Sequence, residues 1–432
     1  MFHPPQKGGF FVIDISSKKV YYFDKFLKMQ KIQVLVLPSD KAGVGRYRSV
    51  DPHVNLQNNF PQEFQITIDY EPKLQDENYW KKFQIVHFHR SIGQDYELCL
   101  EIIKKLKSWG IVVVGDIDDY WLPTKEHPIH QLIVSNKLNE KIIANLKACD
   151  YVTTTTELFA MEIKKFNKNV VVFPNAIDPN EPQFNEPTLP SEKIRVGWLG
   201  GSSHLHDLKL LDGMVSKLSP LQDKLQYYLC GFDTRGVITE INQTTGEKKT
   251  RPIKPEETVW VQYEKIFTNS YNIISPEYKT FLDQFQEGDY PAIQNENYVR
   301  VWTRPVDSYA RNYSKFDISL APIKNHVFNR LKSQLKVIEA GFYKKALIAS
   351  NVGPYTIDLK TAYSNGKFTD GNALLVDEVK SHKDWYLSIK RLVENPNMIQ
   401  DMGERLYETV KDRYDLNKVS IERASFYKSL IK

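Results

Sequence analysis

A chain of 432 residues exceeds what one hydrophobic core ordinarily serves, so two domains are expected. With 26% charged residues and a negative mean hydropathy it has the make-up of a globular protein, and it holds no run of about eighteen apolar residues that would predict a membrane-spanning helix. The net charge of +5 suits an anionic nucleotide, an anionic lipid surface or a nucleic acid, and does not choose among them.

The opening MFHPPQKGGFFVIDISS lacks the basic-then-apolar order of a secretory signal. Cys99, Cys149 and Cys230 are far apart, odd in number and without zinc-binding spacing. They predict free thiols in a reducing, cytoplasmic compartment.

Residues 1–30 read as peripheral: a short apolar run, then the helix-like SKKVYYFDKFLKMQ. The first strand is KIQVLVL, 31–37, which runs into PSDKAGVGRYRSVDP. A strand, a glycine loop at Gly43 and Gly45 and then a helix is a phosphate-approach geometry, because glycine lets the backbone come close. Arg46 and Arg48 follow directly. Further strands are predicted at 65–69, 85–88, 111–114, 150–154 and 170–173, with helix-like segments at 94–108 and 130–148. This alternation argues for a parallel, doubly wound sheet.

Two clusters in this half carry possible chemistry. Asp116, Asp118 and Asp119, in VVVGDIDDYW, fall at a strand's C-terminal end, where doubly wound sheets place ligands. They either cap the next helix or position an acceptor hydroxyl or a divalent ion. His87 and His89 alternate in FQIVHFHRS and so share one face of a strand end. No third ligand has suitable spacing, which leaves cleft lining or packing.

Pro174-Asn175-Ala176-Ile177-Asp178 closes the first half, and PNEPQFNEPTLPSEK is the predicted linker. The second half opens with the strand IRVGWL, 194–199, followed by Gly200, Gly201, Ser202 and a helix, again an anion site at a helix N-terminus. His204 and His206 lie just beyond. After a strand at 227–230, residues 232–294 do not fit a compact strand–helix unit. They predict an inserted, ordered subdomain: a hairpin around 244–246, an extended aromatic segment and a helix near 276–286. YVRVW, 298–302, resumes the sheet, and the loop Thr303-Arg304-Pro305-Val306 follows.

The stretch 316–355 organises the second half. It predicts a strand at 317–321, a helix at 331–342 and a strand at 346–349. Leu331, Leu335, Ile338 and Phe342 form one apolar stripe, with Lys332, Lys336 and Glu339 beside it. Asn329 is the predicted cap, and the free N–H groups near Lys332 and Ser333 make an anion site. Glu339 lies about 10 Å further along, at 1.5 Å per residue. Taken alone, such a Lys–Glu pair is also what a solvated helix face presents. After a strand at 373–376, the amphipathic YDLNKVSIERASFYKSLI ends the chain.

APIKNHVFNRLKSQLKVIEAGFYKKALIASNVGPY resembles the donor-binding segment of the retaining glycosyltransferases of the GT-B fold, the group that includes glycogen-synthase-like and mannosyltransferase-like enzymes. The resemblance implies two Rossmann-like domains facing across a cleft, 1–185 on the acceptor side and 186–414 binding the nucleotide sugar. It also implies a final helix, 415–432, that crosses back. Glu339 matches the glutamate that grips the donor ribose. A second glutamate, common eight positions earlier, is replaced by Leu331. By the same resemblance Lys332 and Ser333 meet the donor diphosphate, with Gly43, Gly45 and Arg46 from one side and Gly200, Gly201, Ser202 and His204 from the other. Arg304 and Val306 lie where the nucleobase loop would be.

Asp118 or Asp119 then stands near the acceptor, and Lys332 stabilises the leaving diphosphate. No metal and no cofactor beyond the nucleotide-sugar co-substrate is implied. The acceptor stays open: a glycan, a lipid-linked group, a protein or a modified nucleic-acid base. Two rival readings are a viral-type transferase acting on such a base and a non-catalytic nucleotide- or sugar-binding module.

Overall fold

The computed structural model describes residues 10–14, 19–23, 31–127, 129–241, 248–268, 297–378 and 381–431. Strands β1 (Phe10–Asp14) and β2 (Lys19–Phe23) pair antiparallel, so the helix expected within 17–30 is corrected to a strand over 19–23, the rest of that stretch lying outside the described residues. KVYYF has one β-branched and three aromatic residues, a composition that favours a strand there.

Two six-stranded parallel sheets follow. The first contains β3 (Ile32–Leu37), β4 (Phe64–Ile68), β5 (Ile85–His89), β6 (Val112–Asp116), β7 (Tyr151–Thr154) and β8 (Val170–Val172), in the order β4-β3-β5-β6-β7-β8. The second uses β9 (Ile194–Leu199) and β10 (Leu225–Phe232), with the inserted pair β11 (Val237–Ile241) and β12 (Lys248–Pro252) branching off after β10. It continues with β13 (Tyr298–Trp302), β14 (Ile318–Ala321), β15 (Ala346–Ser350) and, after the two-residue strands β16 (Tyr363–Ser364) and β17 (Lys367–Phe368), β18 (Leu374–Val376). Its order is β13-β10-β9-β14-β15-β18. The strands are apolar runs covered on both faces by helices, the usual reason a parallel sheet forms.

In each sheet the first strand has its successors on opposite sides. The chain therefore splays at the β3/β5 and β9/β14 boundaries and opens a crevice at the strands' C-terminal ends. The final helix, Leu416–Leu430, packs on helix Asp51–Asn59 of the first half and adds Ala424 and Tyr427 to the core of Val34, Val36, Phe64 and Ile85.

Within the insertion, β11 and β12 flank the expected turn, whose residues 242–247 lie outside the described residues, as does the helix expected near 276–286. The segment expected to be extended contains helix Val259–Thr268. Trp260, Tyr263 and Phe267 recur at helical spacing there and are buried against Phe232 and Trp302.

Candidate functional site

The C-terminal ends of both sheets enclose a cavity of about 920 Å³. From the first half it is lined by the loop after β3, including Gly43, by Arg48 and by Asp118 and Asp119 after β6. From the second half come Gly200, Gly201 and His204 after β9, Arg304 and Val306 after β13, and Lys332, Ser333 and Glu339. Most of the residues singled out in the sequence thus share one cavity.

Three of the expected donor contacts do not line it. Gly45 is buried in the turn, where a Cβ would lie 2.0 Å from the Asp40 carbonyl oxygen; its N–H donates to the Asp40 carboxylate at 3.1 Å. Its glycine shapes the loop. Arg46 turns away to pair with Asp51 and Glu181. Ser202 is exposed on the turn before helix Leu205–Leu208.

The anion site is rearranged. In place of one helix over 331–342 there are two pieces, a turn at Val327–Arg330 and a helix that starts only at Leu335 (Leu335–Phe342), with 331–334 between them. The cap on the first piece is His326, which accepts from the Asn329 N–H at 3.3 Å, while Asn329 uses its own amide on Asp207. Leu331 leaves the apolar stripe and joins the first half's core cluster with Ile117 and Trp121. Leu331 is buried across the boundary between the halves at the point where the helix is interrupted. Lys332 and Ser333 thereby sit just before a fresh helix N-terminus, whose unpaired N–H groups and dipole favour an anion.

Lys336, in the first turn of that helix, also lines the cavity and was not singled out in the sequence as a donor ligand. Its amine donates to the Leu199 carbonyl and lies 5.2 Å from the Trp198 ring centroid. Burial pushes its pKa down to about 8. Gly200 leaves it room: a Cβ there would stand 3.1 Å from the amine.

The loop of Gly200–His204 is braced from the insertion. The Tyr263 oxygen accepts from the His204 N–H at 2.9 Å, and its hydroxyl donates to the Gly201 carbonyl at 3.3 Å. His204 Nδ1 meets Asp207 at 3.0 Å; burial nonetheless pushes the imidazole down to about 4, so it is neutral at pH 7.

Glu339 is 3% exposed and receives the hydroxyls of Tyr309, Tyr313 (2.9 Å) and Tyr47 (3.4 Å). Burial raises its pKa against these hydrogen bonds. The phenols are themselves pushed well above their usual range, by burial and then by the Glu339 charge, and so remain donors.

On the facing wall Asp118 and Asp119 part company. Asp118 accepts from Arg90 at 2.7 Å and pairs with His89 at 3.0 Å. Burial works against it, yet the Arg90 and His89 charges hold it well below the usual carboxylate range. Among the described residues Asp119 has only a 3.4 Å ion-pair contact to Arg90, and it is 32% exposed. Asp116 is fully buried in a bidentate pair with Arg48, at 2.7 and 3.0 Å, and does not line this cavity. His87 packs 4.6 Å from the His53 ring, and His89 is buried as the support of Asp118, so both histidines are structural.

Asn175, from the Pro-Asn-Ala-Ile-Asp string, accepts from Arg48 at 3.1 Å and donates to Ser333 at 3.0 Å, tying the two halves at the cavity. Asn175, Lys336 and Tyr309 are lining residues without an assigned role in the sequence reading. Lys336 alone had a signal, its spacing of four from Lys332.

No protein-family model matches the sequence, and no curated protein matches it. Solved structures do resemble it. Anabaena Alr3699/HepE in complex with UDP superposes with a TM-score of 0.55 at 10% identity, covering 93% of this chain and 100% of that one. The same protein with UDP-glucose gives 0.54 at 12% identity, covering 92% and 99%. A UDP-forming α,α-trehalose-phosphate synthase from Burkholderia vietnamiensis gives 0.52 at 10% identity, covering 93% and 98%. At these identities the likeness is one of fold: two Rossmann-like domains in the GT-B arrangement.

Proposed function

We propose that this chain moves a sugar from a uridine-diphosphate sugar to an acceptor hydroxyl, with retention of configuration. One observation carries the reading. The N-terminus of helix Leu335–Phe342, Lys332, Lys336 and the Gly200–Gly201 turn converge on one end of a cavity whose opposite wall presents Asp119.

In such a transfer the bond from the sugar to the diphosphate breaks, and negative charge grows on the leaving oxygen. Preorganised N–H groups and ammonium ions stabilise that charge without a metal. The acceptor hydroxyl must be oriented and lose its proton, a role suited to Asp119, the less tightly held carboxylate. Uridine is chosen because Alr3699/HepE, which shares the fold, was solved with UDP and with UDP-glucose. Retention rests on the resemblance of 321–355. Three buried free thiols are in keeping with a cytoplasmic enzyme, and no helix among the described residues is long and apolar enough to cross a membrane.

A thermal-shift screen of nucleoside diphosphates tests the reading. A true ligand at one hundred times its dissociation constant adds about 2.7 kcal/mol of stability. No shift with any nucleoside diphosphate would reject it.

A further inference from the structure

We propose that Asn312 reads the base of the donor, its carboxamide pairing with the N–H and neighbouring carbonyl of a uracil ring. This rests on the donor reading above. Asn312 is fully buried, and neither its Nδ2 nor its Oδ1 has a hydrogen-bond partner among the described residues, yet it forms part of the cavity wall. An unpaired buried amide costs folding free energy and is retained where something else supplies its partners.

Its place along the wall indicates what that something is. Lys336 stands at the diphosphate end, and Glu339 lies three residues further along the same helix, about 4.5 Å at 1.5 Å per residue. Glu339 takes the hydroxyl of Tyr309. Asn312 follows Tyr309 by three residues on the 3-10 turn Tyr309–Lys315, so the two side chains share one edge, with a rise of about 6 Å. Asn312 thus stands one 3-10 turn from the phenol that meets Glu339, a separation of the scale between a ribose and its base.

Pro305, Val306 and Ile323 bring apolar surface to the same cavity, which suits the faces of a flat ring. A carboxamide presents one acceptor beside one donor, the complement of uracil's N–H and adjacent carbonyl. The amide can also turn to meet an amino edge, so adenine is the comparison that matters.

Calorimetric titrations of UDP, ADP and inorganic pyrophosphate into wild type and Asn312→Ala test this. Wild type is expected to bind UDP more tightly than ADP. The variant is expected to lose about tenfold or more in UDP affinity while pyrophosphate affinity stays unchanged. Asn312→Asp, which keeps the side-chain volume but faces the uracil carbonyl with a second acceptor, is expected to lose at least as much and serves if the alanine variant misfolds.

Unchanged UDP affinity in both variants would overturn the assignment. Equal losses for UDP and pyrophosphate would reduce Asn312 to a wall residue, and tighter ADP than UDP binding would overturn the choice of uracil. The first two leave the donor reading standing, and the third keeps a nucleoside-diphosphate donor while removing its uridine. Failure of wild type to bind either UDP or pyrophosphate would instead sink the donor reading, and this inference with it.

Discussion

The hydroxyls of Tyr47 and Tyr309 lie 2.7 Å apart, one from each half of the chain, and both reach the carboxylate of Glu339. The glutamate expected to hold a ribose is thus already the acceptor of phenols, and it latches the halves together at the cavity. A ribose diol has to share or replace those contacts. Glu339→Ala is expected to weaken UDP binding by about tenfold or more, the loss of one good charge-assisted contact. Tyr309→Phe, which leaves Oε1 only the longer contact from Tyr47, is expected to leave it unweakened. Equal damage from both, read by titration, would mean that the phenol rather than the carboxylate holds the sugar ring.

Lys336 predicts a pH dependence. Its folded pKa of about 8 lies below the unfolded value of about 10.4, so the buried ammonium costs stability. That cost is absent above the unfolded pKa, grows as pH falls through the window between the two, and is complete below about 8. Anion binding runs the other way, because it needs the charged form. UDP affinity is expected to fall as pH rises through 8, by up to about tenfold per unit. In Lys336→Arg, whose charge persists, the fall should vanish; a slope identical in both proteins would assign it to another group.

Asp118 and Asp119 separate by experiment. Asp118→Asn breaks a largely enclosed pairing with Arg90 and His89 and is expected to cost about 2 kcal/mol or more in chemical denaturation. Asp119→Asn is expected to leave stability and UDP binding alone while lowering transfer to an acceptor by about a hundredfold, the scale of a general base. Reversed effects would exchange their roles.

The insertion contributes one strut that can be removed cleanly. Tyr263→Phe deletes the oxygen that accepts from His204 and donates to Gly201. It is expected to weaken pyrophosphate and UDP alike, because it loosens the loop they share. Deleting 234–258, which takes out β11 and β12 but spares Tyr263, is expected to preserve donor binding and impair transfer to the true acceptor. If transfer survives too, the hairpin has no part in the reaction.

The parallel sheets were legible because IQVLVL, IRVGWL and ALIAS are apolar runs bounded by turn residues, a pattern set by local chain chemistry. Glycines next to such strands marked the cavity for the same reason. What the sequence hid was decided by distant contacts. Nothing local shows that Leu331 is buried by the other half, or that Arg46 turns to Glu181. Tyr47, Tyr309 and Tyr313 are separated by up to 266 positions and meet only at Glu339. Their phenols look like ordinary core aromatics until the fold brings them to one carboxylate.

The proposed transfer depends most on Lys332, whose ammonium lies 4.8 Å from the Phe328 ring centroid and which lines the cavity without an ion-pair partner among the described residues. The most direct measurement follows UDP by mass spectrometry in mixtures of UDP-hexoses with wild type and with Lys332→Ala. Wild type is expected to release UDP, slowly to water and faster with acceptor. The variant is expected to be folded and about a hundredfold or more slower, as when one oxyanion donor is removed. No UDP from any sugar nucleotide, or equal rates in the two proteins, would contradict it.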